Sequence, residues 1–415
     1  MNPLNKKFLT ILKYALEGQK AEGCDDITIE EWKDLFKLAK IHNVLPIFFE
    51  TVYDAKALKE CDEPFVSIIK GTVMRNVTMQ TITTSEFLAL YNRLLSGGIK
   101  PLVVKGLVCR ALYSKPDHRP SSDEDIWIQP EMFEDAHKIL TDFGMEALIS
   151  SKTQMEDYEV TYGKKGSNLR IELHKWLFPP ESKAYGYLNE YFKDAHENAI
   201  ALNINGQQVY TLDYTDNLFY LICHAFKHFL HSGFGIRQVA DIVMFANEYG
   251  HSVDWDKVYA SCKQIKADKF VAAMFNIGEK YLNFDPQKAG YSEKWQSINV
   301  DETDLLEELL SSGLFGSSTL SRVHSSSITL SAVSADKAGK KAKPSVVSSL
   351  FPGLKSMEER YHFLKKHPVL LPIAWGMRIV SYAKETAVTN NNSAKETLKI
   401  GKDRIKLMKK YGILK

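Results

Sequence analysis

The sequence predicts an α/β (α+β) protein whose central core is flanked by N-terminal and C-terminal helical regions. The first observation is that residues 98–175 alternate between short apolar runs and amphipathic runs, in the order strand, helix, strand, helix and hairpin. The second is that the segments before residue 97 and after residue 215 repeat their apolar residues at helical spacing. The third is length, since 415 residues suffice for about two to three domains.

Composition limits the class of protein. The 53 Lys and Arg nearly balance the 51 Asp and Glu, which argues against a nucleic-acid or membrane partner held by overall charge. No run of 18 apolar residues occurs, so no transmembrane span is expected. The five scattered cysteines contain no CxxC pair and are expected to be reduced, mostly buried thiols of a cytoplasmic protein.

The N-terminal domain, residues 1–97, is predicted to be helical. Its first segment is read as an amphipathic helix rather than a signal peptide, because it lacks a long apolar core and a cleavage site of small residues. Thr28 is a candidate helix N-cap with Glu31 three residues later, which is the spacing of a capping box. A longer helix over about 63–96 is predicted to end before a pair of glycines.

Residues 98–212 are predicted to form the α/β core. The β-branched run PLVVKG is followed by a helix through LVCRALYS, and DEDIWIQP forms the next strand. After another helix, segments near 157–162 and 168–175 are predicted to pair as a hairpin. A second hairpin is predicted to turn at Asn205-Gly206.

The rest of the chain is predicted to be mostly helical. A helical domain is expected over 213–310, with a helix pair broken near Gly233. Residues 311–349 are rich in Ser and contain several Lys, which predicts a flexible loop or linker. A C-terminal helical segment is expected over 350–415. Its Lys-rich end could contact RNA or a membrane, but an ordinary amphipathic helix is favoured because apolar residues alternate with the charges.

The stretch RPSSDEDIWIQP places three acidic residues at the start of an apolar strand. Residues two apart in a strand share a face and lie about 6.6 Å apart, so Asp123 and Asp125 point to one side. Carboxylates at this spacing can hold divalent cations, and Mg²⁺ or Mn²⁺ suits oxygen ligands. Glu124 points away from that side and is read as a solvated acid. A chance pair in a charged turn stays open as the alternative.

LRIELHKWLF supplies a third carboxylate. Glu172 alternates with apolar neighbours, so it lies on the opposite face from them, together with Arg170 and His174. A buried acid without a partner is costly. Metal binding by Glu172 and a simple pair with Arg170 on an open sheet face therefore both stay open.

Lys105 and Gly106 lie between a strand and a helix upstream of the acidic stretch. A helix that begins with Gly presents free backbone N–H groups to a phosphate, and Lys105 adds positive charge. The dipeptide alone is of low specificity.

The order of these motifs resembles a bacterial uncharacterised nucleotidyltransferase family within the DNA-polymerase-β-like nucleotidyltransferase superfamily. The resemblance lies in VVKGLVCRALYSKPDHRPSSDEDIWI and continues through IELHKW and HAFKH…IRQVADI, although only the central motif is specific. It implies a nucleotidyltransferase core with a small mixed sheet that binds an NTP with Mg²⁺ (or Mn²⁺). It also implies attack by an acceptor hydroxyl or phosphate on the α-phosphorus, with release of pyrophosphate.

The resemblance assigns roles to the three carboxylates. Asp123, Asp125 and Glu172 are implied to be catalytic and to bind the metal. Glu172 is also implied to orient or deprotonate the acceptor hydroxyl. The chain departs from the family pattern in having Trp127 in place of an expected aliphatic residue after the acidic motif, and Glu as the third acid.

The resemblance also implies nucleotide-binding residues. Lys105 and Gly106 stand where the superfamily has a Gly-Ser loop that holds the triphosphate. Ser122 immediately precedes the first Asp, and Arg119 is implied to contact a phosphate or to have a structural role. Leu107 replaces the small residue that usually follows the loop glycine.

Several residues of the helical domain have no assigned role. His224, His228 and His231 have a spacing that can bind a transition metal, but a partly buried, hydrogen-bonded histidine pair is preferred. Arg237 and Asp241 are four residues apart and predict an ion pair within one helix.

Two other classes of function stay open. One is a glycosyltransferase that binds a nucleotide-sugar through Asp-x-Asp, although that fold usually begins with a longer parallel nucleotide-binding unit. The other is a catalytically silent nucleotide-binding or scaffold protein, against which the three intact acids argue. The acceptor is expected to be a small molecule, a peptide or a saccharide, and nucleic acid is not favoured.

Overall fold

The computed structural model describes most of the chain in two compact units. The first unit comprises Met1–Ala225 and Ile236–Glu307, and the second comprises Phe226–Gly235 and Glu308–Lys415. The described residues are 1–61, 63–149, 155–313, 320–337, 339, 354, 357, 361, 363–378 and 394–415. The finer division into domains at residues 97, 212 and 310 stays a prediction.

The first unit begins with the predicted helices. These are α1 (Pro3–Leu16), α2 (Ile29–Ile41), α3 (Leu45–Val52), α4 (Lys56–Lys59) and α5 (Glu63–Ser96). The capping box is confirmed, because the Thr28 hydroxyl accepts from the Glu31 N–H while the Glu31 carboxylate accepts from the Thr28 N–H. The long helix ends as expected, and the positive φ of Gly98 turns the chain toward the core.

The core of the first unit is a mixed five-stranded sheet. Its strands are β1 (Leu102–Val103), β2 (Glu124–Trp127), β3 (Met145–Ala147), β4 (Glu159–Lys164) and β5 (Arg170–His174). Their spatial order is β1-β2-β5-β4-β3, in which β2 and β5 are parallel and the other neighbours antiparallel. The helices α6 (Gly106–Arg110) and α7 (Phe133–Asp142) precede and follow β2 along the chain. The predicted α+β core with a small mixed sheet is confirmed.

The register of β2 and β5 separates the two faces of the sheet. It pairs Asp125 with Glu172 and Ile126 with Leu173. Residues directly opposite each other on neighbouring strands share a face of the sheet. The two acids therefore lie on one face and the two apolar residues on the other. Ile126 and Leu173 lie in the buried core with Val160 of β4, so Asp125 and Glu172 occupy the other face.

The second predicted hairpin forms a separate two-stranded sheet of β6 (Ile200–Ile204) and β7 (Gln207–Thr211). Asn205 and Gly206 both have positive φ, of 51° and 79°. A two-residue turn with positive φ at both positions matches the twist of the strands, so the Asn-Gly prediction is confirmed.

Helices complete the first unit and lead into the second. They are α8 (Tyr214–His231), α9 (Ile236–Tyr249), α10 (Trp255–Gln264), α11 (Asp268–Tyr281), α12 (Glu293–Gln296) and α13 (Thr303–Ser312). The predicted break near Gly233 is confirmed, since α8 ends and α9 begins on either side of it. Both α8 and α13 begin in the first unit and end in the second.

The second unit contains α14 (Leu320–Lys337), α15 (Phe363–Lys366) and α16 (Ala394–Lys410). The prediction of a flexible loop or linker over 311–349 is therefore wrong for α14, whereas residues 314–319, 338 and 340–349 lie outside the described residues. The Ser-rich composition is compatible with a helix because serine hydroxyls find partners inside and outside it: Ser325 Oγ donates to the Arg322 carbonyl of the same helix, and Ser321 Oγ donates to Glu396 of α16. Small residues also let α14 and α16 approach closely, since a Cβ at Gly401 would lie 2.9 Å from Ile328.

The Lys-rich end of the chain forms an amphipathic helix, as favoured from the sequence. Arg404, Leu407 and Met408 of α16 are buried, whereas the Lys side chains at 402 and 406 are exposed. Among the helices that the structure describes, none combines the length and apolar content that a membrane crossing requires.

Candidate active site

The sheet brings Asp125 and Glu172 together with a histidine. His174 lies two residues after Glu172 on β5 and therefore on the same face. One potential ligand atom from each of the three residues lies within 4.8 Å of the others, and this is the only such group of metal-ligating residues in the described part of the chain. We call Asp125, Glu172 and His174 the β2–β5 cluster.

The imidazole of His174 lies between carboxylates. Its Nε2 is 3.4 Å from Asp125 Oδ1 and 3.8 Å from Glu172 Oε2. Its Nδ1 is 3.4 Å from Oε2 of Glu159, the residue opposite His174 on β4. Three neighbouring strands thus supply the acids around one ring.

Lys105 reaches the cluster from the turn before α6. Its Nζ lies 3.0 Å from Asp125 Oδ2 and 3.4 Å from Nε2 of His224 on α8. The ammonium balances one buried negative charge. Of the three histidines that could form a transition-metal site by spacing, His224 faces Lys105, whereas His231 is half-buried in the second unit, where loss of solvent lowers its pKa to about 4.

The electrostatics of the cluster favour a cation. Burial opposes ionisation of Asp125, yet Lys105 and His174 hold its pKa well below the usual range. Burial together with the charges of Asp125 and Asp123 raises the pKa of Glu172 to about 8. Burial alone would lower the pKa of Lys105 and of His174, but the neighbouring carboxylates raise both. Four carboxyl groups, those of Asp123, Asp125, Glu159 and Glu172, thus act on the two basic groups Lys105 and His174.

The β2–β5 cluster fits a divalent metal ion. Within the described ranges, no aligned hydrogen bond reaches Asp125 Oδ2 or either ring nitrogen of His174, although all three atoms are buried; Lys105 makes only an ion pair with Oδ2. Ligand atoms around an ion bound at about 2.1 Å lie about 3–4 Å apart, close to the separations within the cluster. Two carboxylates and an imidazole are also a usual donor set for such an ion.

Asp123 lies just before β2 and outside the cluster. It is half-buried, its Oδ2 accepts from the exposed Ser122 hydroxyl at 3.1 Å, and its backbone carbonyl accepts from Ser121 Oγ at 2.8 Å. Its charge still raises the pKa of both Glu172 and Lys105, so it acts on the same site electrostatically. Metal binding by Asp123 and phosphate binding by Ser122 stay predictions.

Glu124 is buried, so its interpretation as a solvated acid was wrong. Its Oε1 lies 2.5 Å from a guanidinium nitrogen of the buried Arg110, and its Oε2 accepts from the Leu107 N–H at 2.8 Å. A Cβ at Gly106 would lie 2.1 Å from that Oε2, so only glycine admits the carboxylate. One N–H group that the sequence predicted to be open to a phosphate is thus already bonded. A nucleotide contact by Gly106 or Lys105 stays a prediction.

Arg119 binds an acid of the helical region. Its Nε and a terminal nitrogen each donate at 2.7 Å to Asp241 of α9, which also accepts from the Tyr113 hydroxyl at 2.8 Å. Arg237 donates to the backbone carbonyl of Pro120 at 2.5 Å. Arg119 therefore has a structural contact, as one of its two predicted roles required. Asp241 forms its ion pair with Arg119 and not, as predicted, with Arg237 of the same helix.

The segment that leads into β2 is fixed from two sides. Arg237 binds Pro120 from α9, and Gln80 Oε1 of α5 accepts from the Ser121 N–H at 2.7 Å. This segment carries Ser122 and Asp123 to the edge of the β2–β5 cluster.

Three residues of the site were not predicted as such: His174, Glu159 and Gln80. For His174 a signal existed, because it shares the Glu172 face by the two-residue period of a strand. Glu159 follows only once the register of the β4–β5 hairpin is known. Gln80 has no local signal, since its contact joins a helix to a loop 41 residues away.

Comparison with known proteins identifies the family of the chain. A family model described as "Uncharacterised nucleotidyltransferase" matches residues 29–283, which include every site residue discussed above for the first unit. No curated protein and no solved structure is significantly similar to the chain.

Proposed function

Because the chain belongs to the uncharacterised nucleotidyltransferase family, we propose that it transfers an NMP from an NTP to an acceptor hydroxyl or phosphate and releases pyrophosphate. The observation that carries the proposal is the pairing of Asp125 with Glu172 across parallel strands, beside Asp123 and Lys105. Acidic residues on one face of the sheet, with a half-buried ammonium beside them, suit a reaction that is mostly positioning and charge neutralisation.

Asp123, Asp125 and Glu172 would hold Mg²⁺ or Mn²⁺. A bound ion would neutralise charge on the phosphate oxygens and fix the triphosphate for in-line attack. Asp125 is suited to bind the ion both with and without a nucleotide, because it is buried and kept ionised by Lys105. Asp123 is nearer to solvent and would complete the ligand set when the nucleotide arrives.

Glu172 would orient the acceptor hydroxyl and take up its proton. Its side chain is 28% exposed, compared with 3% for Asp125, so an acceptor can reach Glu172 from solvent. An acid placed beside the attacking oxygen can accept its proton as the bond to phosphorus forms.

The nucleotide phosphates would be bound by Lys105, Gly106, Ser122 and Arg119. The Lys105 ammonium is already at the cluster, and the exposed Ser122 hydroxyl lies beside Asp123. Gly106 would contribute its own backbone N–H, because the space that a side chain would take there is filled by Glu124. Arg119 would contribute by fixing the segment that carries Ser122. The acceptor would be a small molecule, a peptide or a saccharide. A cytoplasmic location is supported by the five cysteines, all of which are free and buried.

The test combines binding and transfer with the whole chain. Calorimetric titration with each NTP in the presence of Mg²⁺ should show metal-dependent binding, and α-³²P-labelled NTP in host lysate should label one acceptor class. Asp125→Asn and Glu172→Gln should reduce labelling by at least about 100-fold. The exposed Asp135→Asn on α7 is the control and should leave it unchanged. Absence of metal-dependent NTP binding by the folded wild-type protein would make the chain a catalytically silent member and refute the proposal.

A further inference from the structure

One ring nitrogen of His174 faces both carboxylates of the β2–β5 cluster. Nε2 lies 3.4 Å from Asp125 Oδ1 and 3.8 Å from Glu172 Oε2, and neither contact has the alignment of a hydrogen bond. The three atoms lie within 4.8 Å of one another, and the Glu172 side chain, 28% exposed, leaves the group open to solvent. Such an arrangement is expected where one cation is shared by all three.

The other ring nitrogen has its own carboxylate. Nδ1 lies 3.4 Å from Oε2 of Glu159, whose side chain is 29% exposed. Metal-binding histidines usually donate their second N–H to a carboxylate, which fixes the tautomer and the ring orientation. Glu159 therefore lies where it would accept a hydrogen bond from Nδ1–H. Nε2 would then carry no proton, and its lone pair would be free to bind the ion.

The alternative is a core histidine held by ordinary hydrogen bonds. That interpretation requires at least one aligned partner, because a buried polar atom without one is costly. For the residues that the structure describes, Nε2 lacks such a partner although His174 is 4% exposed, whereas Nδ1 has the Glu159 carboxylate 3.4 Å away. The geometry favours a ligand role over a structural one.

The backbone holds these groups firmly in place. His174 and Glu172 come from β5, Asp125 from β2 and Glu159 from β4, three neighbouring strands of one sheet. A cross-strand register fixes side-chain separation more tightly than a loop does.

We propose that His174 is a direct ligand of the ion and that Glu159 is the positioning residue of its ring, so that the site prefers Mn²⁺ to Mg²⁺. The inference rests on the proposed metal-dependent function and adds an imidazole to the carboxylates assigned there. Mg²⁺ favours oxygen ligands, whereas an imidazole nitrogen raises affinity for transition metals.

The test is the electron spin echo envelope modulation of Mn²⁺ bound to the full chain without nucleotide. We expect modulation from one directly coordinated imidazole nitrogen in the wild type and its loss in His174→Gln. Mn²⁺ affinity should fall about 10- to 100-fold in Glu159→Gln while the nitrogen modulation persists. Mg²⁺ affinity, measured by competition, should change by a smaller factor in both variants.

The controls separate this inference from a general loss of folding. His251→Gln replaces an exposed histidine of the same unit and should leave Mn²⁺ affinity and modulation unchanged. If His174→Gln does not fold, wild-type protein labelled with ¹⁵N in histidine alone shows that the coupled nitrogen belongs to an imidazole. Modulation that persists in folded His224→Gln then excludes His224 as its source.

Two outcomes would overturn the inference without touching the proposed function. One is tight Mn²⁺ binding by the wild type with no imidazole modulation. The other is modulation that survives in folded His174→Gln, which would move the ligand to another histidine such as His224. Failure of the proposed function is recognised differently, as a protein that binds Mn²⁺ with the expected modulation yet transfers no NMP from any NTP.

Discussion

Gly106 and Gly71 both lie in helices of the first unit but differ in what an added methyl group would contact. At Gly106 it would lie 2.1 Å from the buried Glu124 carboxylate, which cannot move away without breaking its pair with Arg110. At Gly71, on the exposed side of α5, nothing lies within 4 Å. We expect Gly106→Ala to lower the free energy of unfolding by about 1–3 kcal/mol. Gly71→Ala should raise it by about 0.5–1 kcal/mol.

Urea unfolding of both variants at pH 7 measures this difference. Equal effects of the two substitutions, or a neutral Gly106→Ala, would contradict the close approach of Glu124 to the start of α6. The same variant also tests whether the glycine is needed for the fold or for the nucleotide, because a stable Gly106→Ala that fails to bind NTP would favour the latter.

The buried pair of Asp241 with Arg119 gives a second prediction. Asp241→Asn leaves a buried guanidinium without its counter-charge, so the free energy of unfolding should fall by about 3–5 kcal/mol. The exposed pair of Asp256 with Lys294 is the matched control, and Asp256→Asn should cost only about 0–1 kcal/mol. Denaturant unfolding of both variants at pH 7 compares the two costs.

The Asp241 pair also predicts a dependence on pH. Although burial opposes ionisation, Arg119 holds the pKa of Asp241 below its usual value. A depressed folded-state pKa adds stability that is fully present above the unfolded-state value of about 3.9 and is lost as the pH falls below it. The difference in the free energy of unfolding between wild type and Asp241→Asn should therefore become smaller as the pH falls from 5 to 3. A difference that is constant over this range would show that the charge of Asp241 does not stabilise the fold.

The sequence predicts those parts of the site that depend on neighbouring residues of one strand, but not those that depend on contacts between distant segments. The two-residue period of a strand was enough to place Asp125 and Glu172 on faces opposite their apolar neighbours, and the resemblance joined them. The same period puts Glu124 on the core side, but an acid can be buried there only with Arg110 and the Leu107 N–H beside it. Those partners depend on tertiary packing, which no local pattern encodes.

At the scale of elements, the segment before β2 is held by side chains from two helices. Gln80→Leu would leave the Ser121 N–H without its acceptor and loosen the segment that carries Asp123. We expect NMP transfer to fall by about 10- to 100-fold, because small misplacements of catalytic groups are costly. Mn²⁺ affinity should change little, since the β2–β5 cluster lies on the strands.

Gln207→Leu is the control for this prediction. Gln207 also makes one side-chain hydrogen bond, to Asn92, but it lies on the separate β6–β7 hairpin. It should leave both transfer and metal affinity unchanged. Parallel loss of transfer in the two variants would mean that the Gln80 contact has no specific role in positioning.

Elements with strong local signals were predicted well. The capping box of α2 and the Asn205-Gly206 turn depend on a few adjacent residues, and both are present. The helix α14 was missed because Ser-rich composition usually indicates a linker. Its stability comes from partners in α16, more than 50 residues further along the chain, which composition does not reveal. The parallel pairing of β2 with β5 was likewise beyond local patterns.

At the scale of the whole molecule, the charge balance argues against nucleic acid as a partner. The net charge is +2 at pH 7, and the Lys side chains of α16 form one exposed face of an otherwise packed helix. We expect single-stranded RNA to bind with a Kd weaker than about 10⁻⁴ M at physiological salt, measured by fluorescence anisotropy.

A variant with Gln in place of Lys399, Lys402, Lys406 and Lys409 completes this prediction. It should show the same weak binding as the wild type. Micromolar RNA binding that disappears in the variant would identify α16 as a nucleic-acid surface and contradict this prediction.

The alternation of the three acids at the start of β2 also limits how the chain can vary in length. A single-residue insertion or deletion beside β2 would exchange the two faces of the strand, turning Glu124 toward Glu172 and Asp125 toward Arg110. Both the buried ion pair and the β2–β5 cluster would then be lost in one step, although the composition of the segment would hardly change. Engineering of this loop is therefore safer by substitution than by changing its length.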